Sequence, residues 1–269
     1  MIIPSISKIS TALRRKIDYQ LKLKWKKNFV DEVDLIFKVL MRTDVPKSMI
    51  DVGAHHGNSL KRYVKAGWHI YAFEPDPRNR RKLMERFGNQ KNLLVDPRAL
   101  GAIDQKNLDF YTSPDSSGIS GLSPFQKSHS ATDQVDMITL RTFQKEKNMK
   151  RPGFLKIDTE GHDLFVLQGY PWETGRPDCV ICEFEDKKTL PLGYDFKQLA
   201  NFLLEENYHL IVSEWDPIEK YGEIHNWKAF HRYPMQLSSP EAWGNIIGFQ
   251  NRDLFEHVAK RWIRKPRKS

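Results

Sequence analysis

The sequence is poor in the residues that staple, span or chelate. Only two of its 269 residues are cysteine. Cys179 and Cys182 form a lone Cys-x-x-Cys within Asp178–Phe184, which reads as a strand, where positions i and i+3 face opposite sides. With no second pair, a structural zinc site lacks ligands, and a redox pair belongs at a helix N-terminus. Both cysteines are therefore expected as core thiols, in keeping with a reducing compartment. No run approaches the ~20 apolar residues of a membrane span. An apolar signal segment is also missing at the start, so a cytoplasmic location is expected. Internal repeats and low-complexity tracts are absent. Two phosphate cradles are missing as well: the chain has neither Gly-x-Gly-x-x-Gly nor Gly-x-x-x-x-Gly-Lys-Ser/Thr.

Acidic residues are scarce only at the two ends. Residues 1–28 hold eight Lys/Arg against one Asp, and residues 257–269 hold six Lys/Arg and no acid. The overall net charge is +9, so the body between them is net negative. A nucleic-acid enzyme places its basic charge around the site. Here it lies in the tails, so nucleic acid is not favoured, and an anionic membrane surface is a partner for the tails alone. Ile6, Ile9, Leu13, Ile17 and Leu21 recur at spacings of three and four between basic residues. That pattern predicts an amphipathic helix over 5–27, either packed on the body or lying on anionic lipid.

The chain is organised around Met49–Gly57, Met-Ile-Asp-Val-Gly-Ala-His-His-Gly. Met49, Ile50 and Val52 read as a buried strand, Gly53 and Gly57 as a turn, and 59–66 as a helix. Such a turn sits at a sheet's carboxyl edge, where α/β folds bind nucleotides. Tyr71-Ala-Phe-Glu74-Pro-Asp-Pro77 reads as the next strand, ending in a carboxylate. Glu74 lies 21 positions after Gly53, near the roughly 20-residue offset at which an acid reaches ribose hydroxyls. Further strands are expected at 93–95, 107–112, 133–140, 153–158, 180–184, 208–212 and 245–250, and helices at 33–41, 78–87, 162–167 and 196–206. Residues 113–132, rich in Ser and Gly, read as a long loop of the kind that carries function. Residues 215–243 read as irregular and aromatic, serving as acceptor wall or as core. Alternating strands and helices predict an α/β fold with a mainly parallel sheet covered on both faces.

A glycine turn followed by an acid suits a dinucleotide or S-adenosylmethionine. The missing glycine triplet disfavours the dinucleotide. Asp51, an acid just before the turn, repels phosphate yet suits a methionine ammonium. Asp158, Glu160 and His162 cluster after the 153–158 strand, where doubly wound folds keep their chemistry. Asp158 and His162 are candidates for a base that takes a hydroxyl proton during methyl transfer. With Glu183, the same cluster offers oxygen and imidazole ligands to a divalent ion, a use that no spacing signature favours.

Asp51-Val-Gly-Ala-His-His-Gly57, Phe73-Glu-Pro-Asp-Pro77 and Phe154-Leu-Lys-Ile-Asp-Thr-Glu-Gly-His-Asp-Leu-Phe-Val-Leu-Gln-Gly169 together resemble the FkbM family of S-adenosylmethionine-dependent methyltransferases. The third motif is the specific one; the first two indicate only a class I methyltransferase. The resemblance spans about residues 48–250. It implies a class I Rossmann-like fold, with a seven-stranded sheet whose last strand is antiparallel, and methyl transfer to a hydroxyl of a glycan, sugar or small metabolite. It also implies that Asp51, Gly53, Ala54 and Gly57 hold the methionine half of the cofactor, Glu74 the ribose, and Arg98 and Ala99 the adenine side. The sequence departs from the family pattern at His55 (commonly Asn), Arg141 (commonly Asp) and Asp163 (commonly Glu). The expected organisation is a basic helical extension over 1–47, the methyltransferase domain over 48–252 and a basic tail over 253–269. The alternatives are a nicotinamide-dependent oxidoreductase, a nucleic-acid methyltransferase and a non-catalytic binding module.

Overall fold

Short apolar runs around Ile50, Ala72, Leu155 and Ile181 become parallel strands because helices cover both of their faces. The computed structural model describes residues 29–263 except 222 and 224. The helix expected over 5–27 lies outside the described residues, as do residues 264–269.

The strands β1 (Ser48–Val52), β2 (His69–Phe73) and β3 (Leu93–Asp96) run parallel, side by side. The chain then returns to the other side of β1 with β7 (Phe154–Ile157), followed outward by β8 (Cys179–Glu185). Next comes β11 (Trp243–Phe249), antiparallel to both β8 and β9 (His209–Trp215). This is the Rossmann-like sheet expected from the sequence, with its antiparallel last strand inserted between β8 and β9. One correction concerns strand number: β10 (Trp227–Arg232) pairs with β9 at the edge, so the sheet has eight strands. It lies in the stretch read as irregular, where clustered large aromatics hide the alternation. A second sheet holds β4 (Ala99–Leu100), β6 (Ser130–Ile138) and β5 (Gln105–Thr112), in that order.

Side-chain caps set most helix starts. Asp31 caps α1 (Glu32–Leu40), Asp76 caps α3 (Pro77–Phe87) and Thr139 caps α4 (Leu140–Lys147), each accepting from a backbone amide inside the helix. Between the first two lies the short α2 (Lys61–Lys65). Asp195 forms a capping box with Gln198 at α7 (Phe196–Glu205), which follows α5 (Asp163–Gln168) and α6 (Asp186–Thr189). On one face of the sheet, Leu140, Phe143, Leu164, Leu199 and Leu203 pack with Ile50, Leu155 and Cys182. On the other, Ile36, Leu40, Tyr63 and Leu83 pack with Met49, Phe154 and Cys179. The two thiols therefore point into opposite layers, buried and free. Residues 253–262, assigned from the sequence to a tail, form most of α8 (Arg252–Trp262), whose Phe255, Val258 and Ala259 are buried in the second layer. Its basic residues mask a 3.6-residue apolar stripe. Residues 32–40 of the expected extension likewise join this layer through Ile36 and Leu40.

Candidate active site

The strand order reverses between β1 and β7, and a crevice at the carboxyl ends is the expected result. A cavity of about 510 Å³ opens there, within the range of small-molecule sites. Phe73, Pro75, Ala99, Leu100 and Phe110 give it an apolar wall. Gly118, Ser120 and Gly121 of the β5–β6 loop contribute another wall. The loop is tied down on both sides. Asn79 Nδ2 donates to Ser117 O at 2.9 Å, Ser120 Oγ donates to Asp76 Oδ2 at 3.2 Å, and Ser123 Oγ lies 2.9 Å from His162 Nε2.

Glu74 stands at one end of the cavity. Its Oε2 accepts from the His55 amide at 2.6 Å and its Oε1 from the Asp76 amide at 2.9 Å. Burial outweighs these bonds and lifts its pKa to about 7. Each carboxylate oxygen keeps a lone pair for a donor in the cavity, which fits a ribose diol. His55 reaches this position through a left-handed φ of 49°, which Asn and His adopt more readily than most residues. Burial holds its imidazole neutral, with a pKa of about 4.

The other end is acidic. Asp158, Glu160, Glu183 and His162 border the cavity beside Trp243. Glu160 is held at a φ of 56°, a strained setting for a glutamate and a recurrent mark of functional loops. Asp163 organises the turn: its Oδ2 accepts from the Thr159 amide at 3.1 Å and hydroxyl at 2.6 Å, and its Oδ1 from the Glu183 amide at 2.8 Å. Behind the wall, the buried Lys188 ammonium lies 2.6 Å from Glu160, 3.0 Å from Glu183 and 2.7 Å from Glu185. Burial, opposed by Lys188 and reinforced by Asp158, raises Glu160 to about 7 and raises Glu183 as well. Burial alone lowers His162 to about 4. Asp158, Glu160 and Glu183 approach closely enough to ligate a cation. The Lys188 ammonium lies against two of them.

The methyltransferase FkbM domain model matches residues 51–210. The chain belongs to the FkbM methyltransferase family. Methyl transfer is the reaction class that membership carries. Among solved structures, the chain is similar to an FkbM methyltransferase from Methylobacillus flagellatus KT, at 18% identity and a TM-score of 0.45, over 75% of this chain and 43% of that one. It thus spans less than half the length of that protein. It is also similar to a precorrin-6y C5,15-methyltransferase from Geobacter metallireducens GS-15, at 11% identity and a TM-score of 0.43, over 83% of this chain and 91% of that one. A third is a putative RNA methyltransferase from Pyrococcus horikoshii, at 13% identity and a TM-score of 0.41, over 87% and 97% of the two chains. No curated protein matches the chain.

Of the site residues expected from the sequence, the cavity brings together Gly53, Glu74, Ala99, Asp158, Glu160 and His162. Others point elsewhere. Asp51 is fully buried opposite Lys156 in the β1–β7 register; its Oδ1 takes the Lys156 ammonium at 2.9 Å and its Oδ2 the Ser59 hydroxyl. It serves an internal ion pair and does not border the cavity. The Gly53 and Ala54 amides both donate to Phe73 O, and the Gly57 amide to Ala54 O. Gly57 packs on Leu83 and Phe87, where a Cβ would come within 2.5 Å of Leu83 Cδ1. Arg98 is clasped by Asp96 and Glu146 at 2.7 Å each, and Arg141 by Glu173 at the surface. Lys188, Glu185 and Asp163 were not singled out as site residues. Lys188 lies in Asp186-Lys-Lys-Thr, outside every motif read from the sequence. Its signal was the spacing from Glu183 and Glu185, five and three positions earlier.

Proposed function

We propose that the chain moves a methyl group from S-adenosylmethionine to a hydroxyl oxygen of an acceptor, a sugar, glycan or small hydroxylated metabolite. One observation carries this reading: a single cavity joins the Glu74 carboxylate to the Asp158–Glu160–His162 cluster. Glu74 suits the ribose, and the apolar wall around Ala99 and Leu100 suits the adenine. In the transfer, the donor supplies a methyl carbon on a positively charged sulfur; the acceptor oxygen bonds that carbon, the C–S electron pair stays on sulfur, and the hydroxyl proton leaves. Glu160 is positioned to take that proton, because a base titrating near neutrality is the most effective one there. Asp158, whose side chain is 43% exposed and whose Oδ2 lies 3.4 Å from the Lys156 ammonium, has its other oxygen to accept a hydrogen bond that orients the acceptor. His162 stays neutral and holds the Ser123 end of the loop.

The alternatives lose support from the same geometry. A pyrophosphate needs free amides in the glycine turn, and the Gly53, Ala54 and Gly57 amides are spent internally. A nucleic-acid backbone needs basic neighbours, and among the described residues lining the cavity none is Lys or Arg. A scaffold module has no use for a strained, buried carboxylate aimed into a cavity.

The test is transfer of labelled methyl from S-adenosylmethionine to a panel of hydroxylated sugars, glycans and metabolites. The expected product carries the label on oxygen, and Glu160→Gln lowers turnover by about two to four decades. Label on nitrogen or carbon, or near-normal turnover in Glu160→Gln, contradicts the assignment.

A further inference from the structure

A second cavity, of about 170 Å³, lies between the start of α1 and strands β7, β8 and β11. It adjoins the first at two points. Asp158 lines both. Asn245, in the second, stands opposite Glu183, in the first, in the β8–β11 register, so the two side chains share a face of the sheet. Buried charge holds its walls in place. Glu32 Oε1 accepts from the Ser213 hydroxyl at 2.6 Å, the Trp215 indole at 2.8 Å and the Asn245 amide at 3.3 Å. Those bonds fix both Asn245 and the start of α1 to the sheet. The Lys156 ammonium lies 2.9 Å from Asp51 and 3.4 Å from Asp158, and donates to Gly53 O at 3.3 Å. Its three donors are thus committed, and the buried Asp51 meets its charge.

What is left for a ligand is one-sided. Among the described residues lining this cavity, Lys156 is the one cation, whereas Asp31, Glu32 and Asp158 are acids. Asp31 spends Oδ1 on the Asp34 amide, which leaves Oδ2 as an acceptor. Val33 and Ile181 add apolar surface. Such walls favour hydroxyls carried on a ring and reject negative charge.

We propose that the second cavity is the acceptor's subsite and takes one ring of a neutral sugar, with the hydroxyl to be methylated at the Asp158 junction. This rests on the hydroxyl-acceptor reading above and narrows it, since sugars with an acidic group are excluded. The first cavity has the size of one small-molecule site, and a nucleoside with its ribose at Glu74 takes up much of it. The acceptor ring therefore needs a place outside that still reaches its far end. At about 170 Å³ the second cavity is below the range of drug-sized sites, which suits a single ring. A ring held there is oriented before transfer, the condition that an in-line displacement requires.

The experiment uses saturation-transfer NMR and titration on the full chain at neutral pH, with and without S-adenosylhomocysteine. The probes are the methyl pyranosides of glucose, galactose, mannose and xylose, and the matching methyl uronides. At least one neutral glycoside should bind, and its uronide should bind about tenfold more weakly because its carboxylate meets those of Asp31 and Asp158. Asn245→Phe fills the second cavity without lining the first. It should weaken the glycoside about tenfold or more and leave the affinity for S-adenosylhomocysteine unchanged. Asp31→Asn keeps the cap of α1 and removes one charge, so it should narrow the gap between glycoside and uronide about threefold; it is the independent variant if Asn245→Phe does not fold. No glycoside binding, equal binding of the uronides, or binding that persists in Asn245→Phe overturns the subsite while S-adenosylhomocysteine still binds. Loss of S-adenosylhomocysteine binding alone, with glycosides bound, overturns the cofactor reading and leaves the subsite standing.

Discussion

A buried acid held near neutrality is an unusual thing for a residue to be, and Glu74 shows what it costs and what it serves. Its pKa of about 7 means that the folded state keeps a proton which the unfolded chain, at the ordinary value of 4.5, has lost. Stability from this group is fully present below pH 4.5 and is lost as pH rises through 7. The unfolding free energy of the wild type should therefore fall relative to that of Glu74→Gln by up to about 3 kcal/mol between pH 4.5 and 8. Chemical denaturation at both ends of that range measures it, and parallel pH profiles would refute it. His55 and His162 act oppositely in both proteins: neutral when folded, they withdraw stability as pH falls from 6.5 toward 4. Glu74 was legible in the sequence because an acid at a fixed distance from a glycine turn has a geometric consequence. Lys188 was not, because nothing in a local run of charges says that distant Tyr221 and Phe125 will bury it.

At the scale of elements, the glycine turn after β1 is where backbone geometry is least forgiving. Gly53 has a φ of 78°, and a Cβ there would lie 1.9 Å from Asp158 O, the carbonyl at the end of β7. Gly53→Ala is expected to destabilise the fold by more than about 3 kcal/mol, because both the dihedral and the contact oppose it. Gly118 lies in the loop wall of the cavity, where an added Cβ would meet nothing closer than Ser116 Oγ at 3.5 Å. Gly118→Ala should therefore leave stability within about 0.5 kcal/mol. Thermal unfolding of the two variants separates them; equal effects would mean that the β1–β7 approach is not a constraint. Strands β1, β2, β7 and β8 were legible as apolar runs bounded by glycine, proline and acid. β10 and α8 were not, for opposite reasons: aromatic density conceals an edge strand, and basic residues conceal an apolar stripe. Ser130 and Ala131 fall in the stretch read as loop, yet they pair with Thr112 and Tyr111 of β5 as the start of strand β6.

Over the whole molecule, charge and cavity are segregated. The charged residues that line the cavity are acidic, whereas the excess of Lys and Arg lies in residues 1–28 and 257–269. We propose that the basic ends hold the protein against anionic lipid. The full chain should then sediment with anionic vesicles and detach in high salt, while a chain lacking residues 1–28 should not sediment. Equal sedimentation of both would remove those residues from any membrane role. The central claim concerns the cavity: that its Glu74 end holds the ribose of S-adenosylmethionine and its product. Titration calorimetry with S-adenosylhomocysteine, on wild type and Glu74→Ala, tests it most directly. The account predicts binding by the wild type and a loss of about 1.5–3 kcal/mol in the variant, for a charge-assisted hydrogen bond removed. Equal affinity of the two proteins would contradict it.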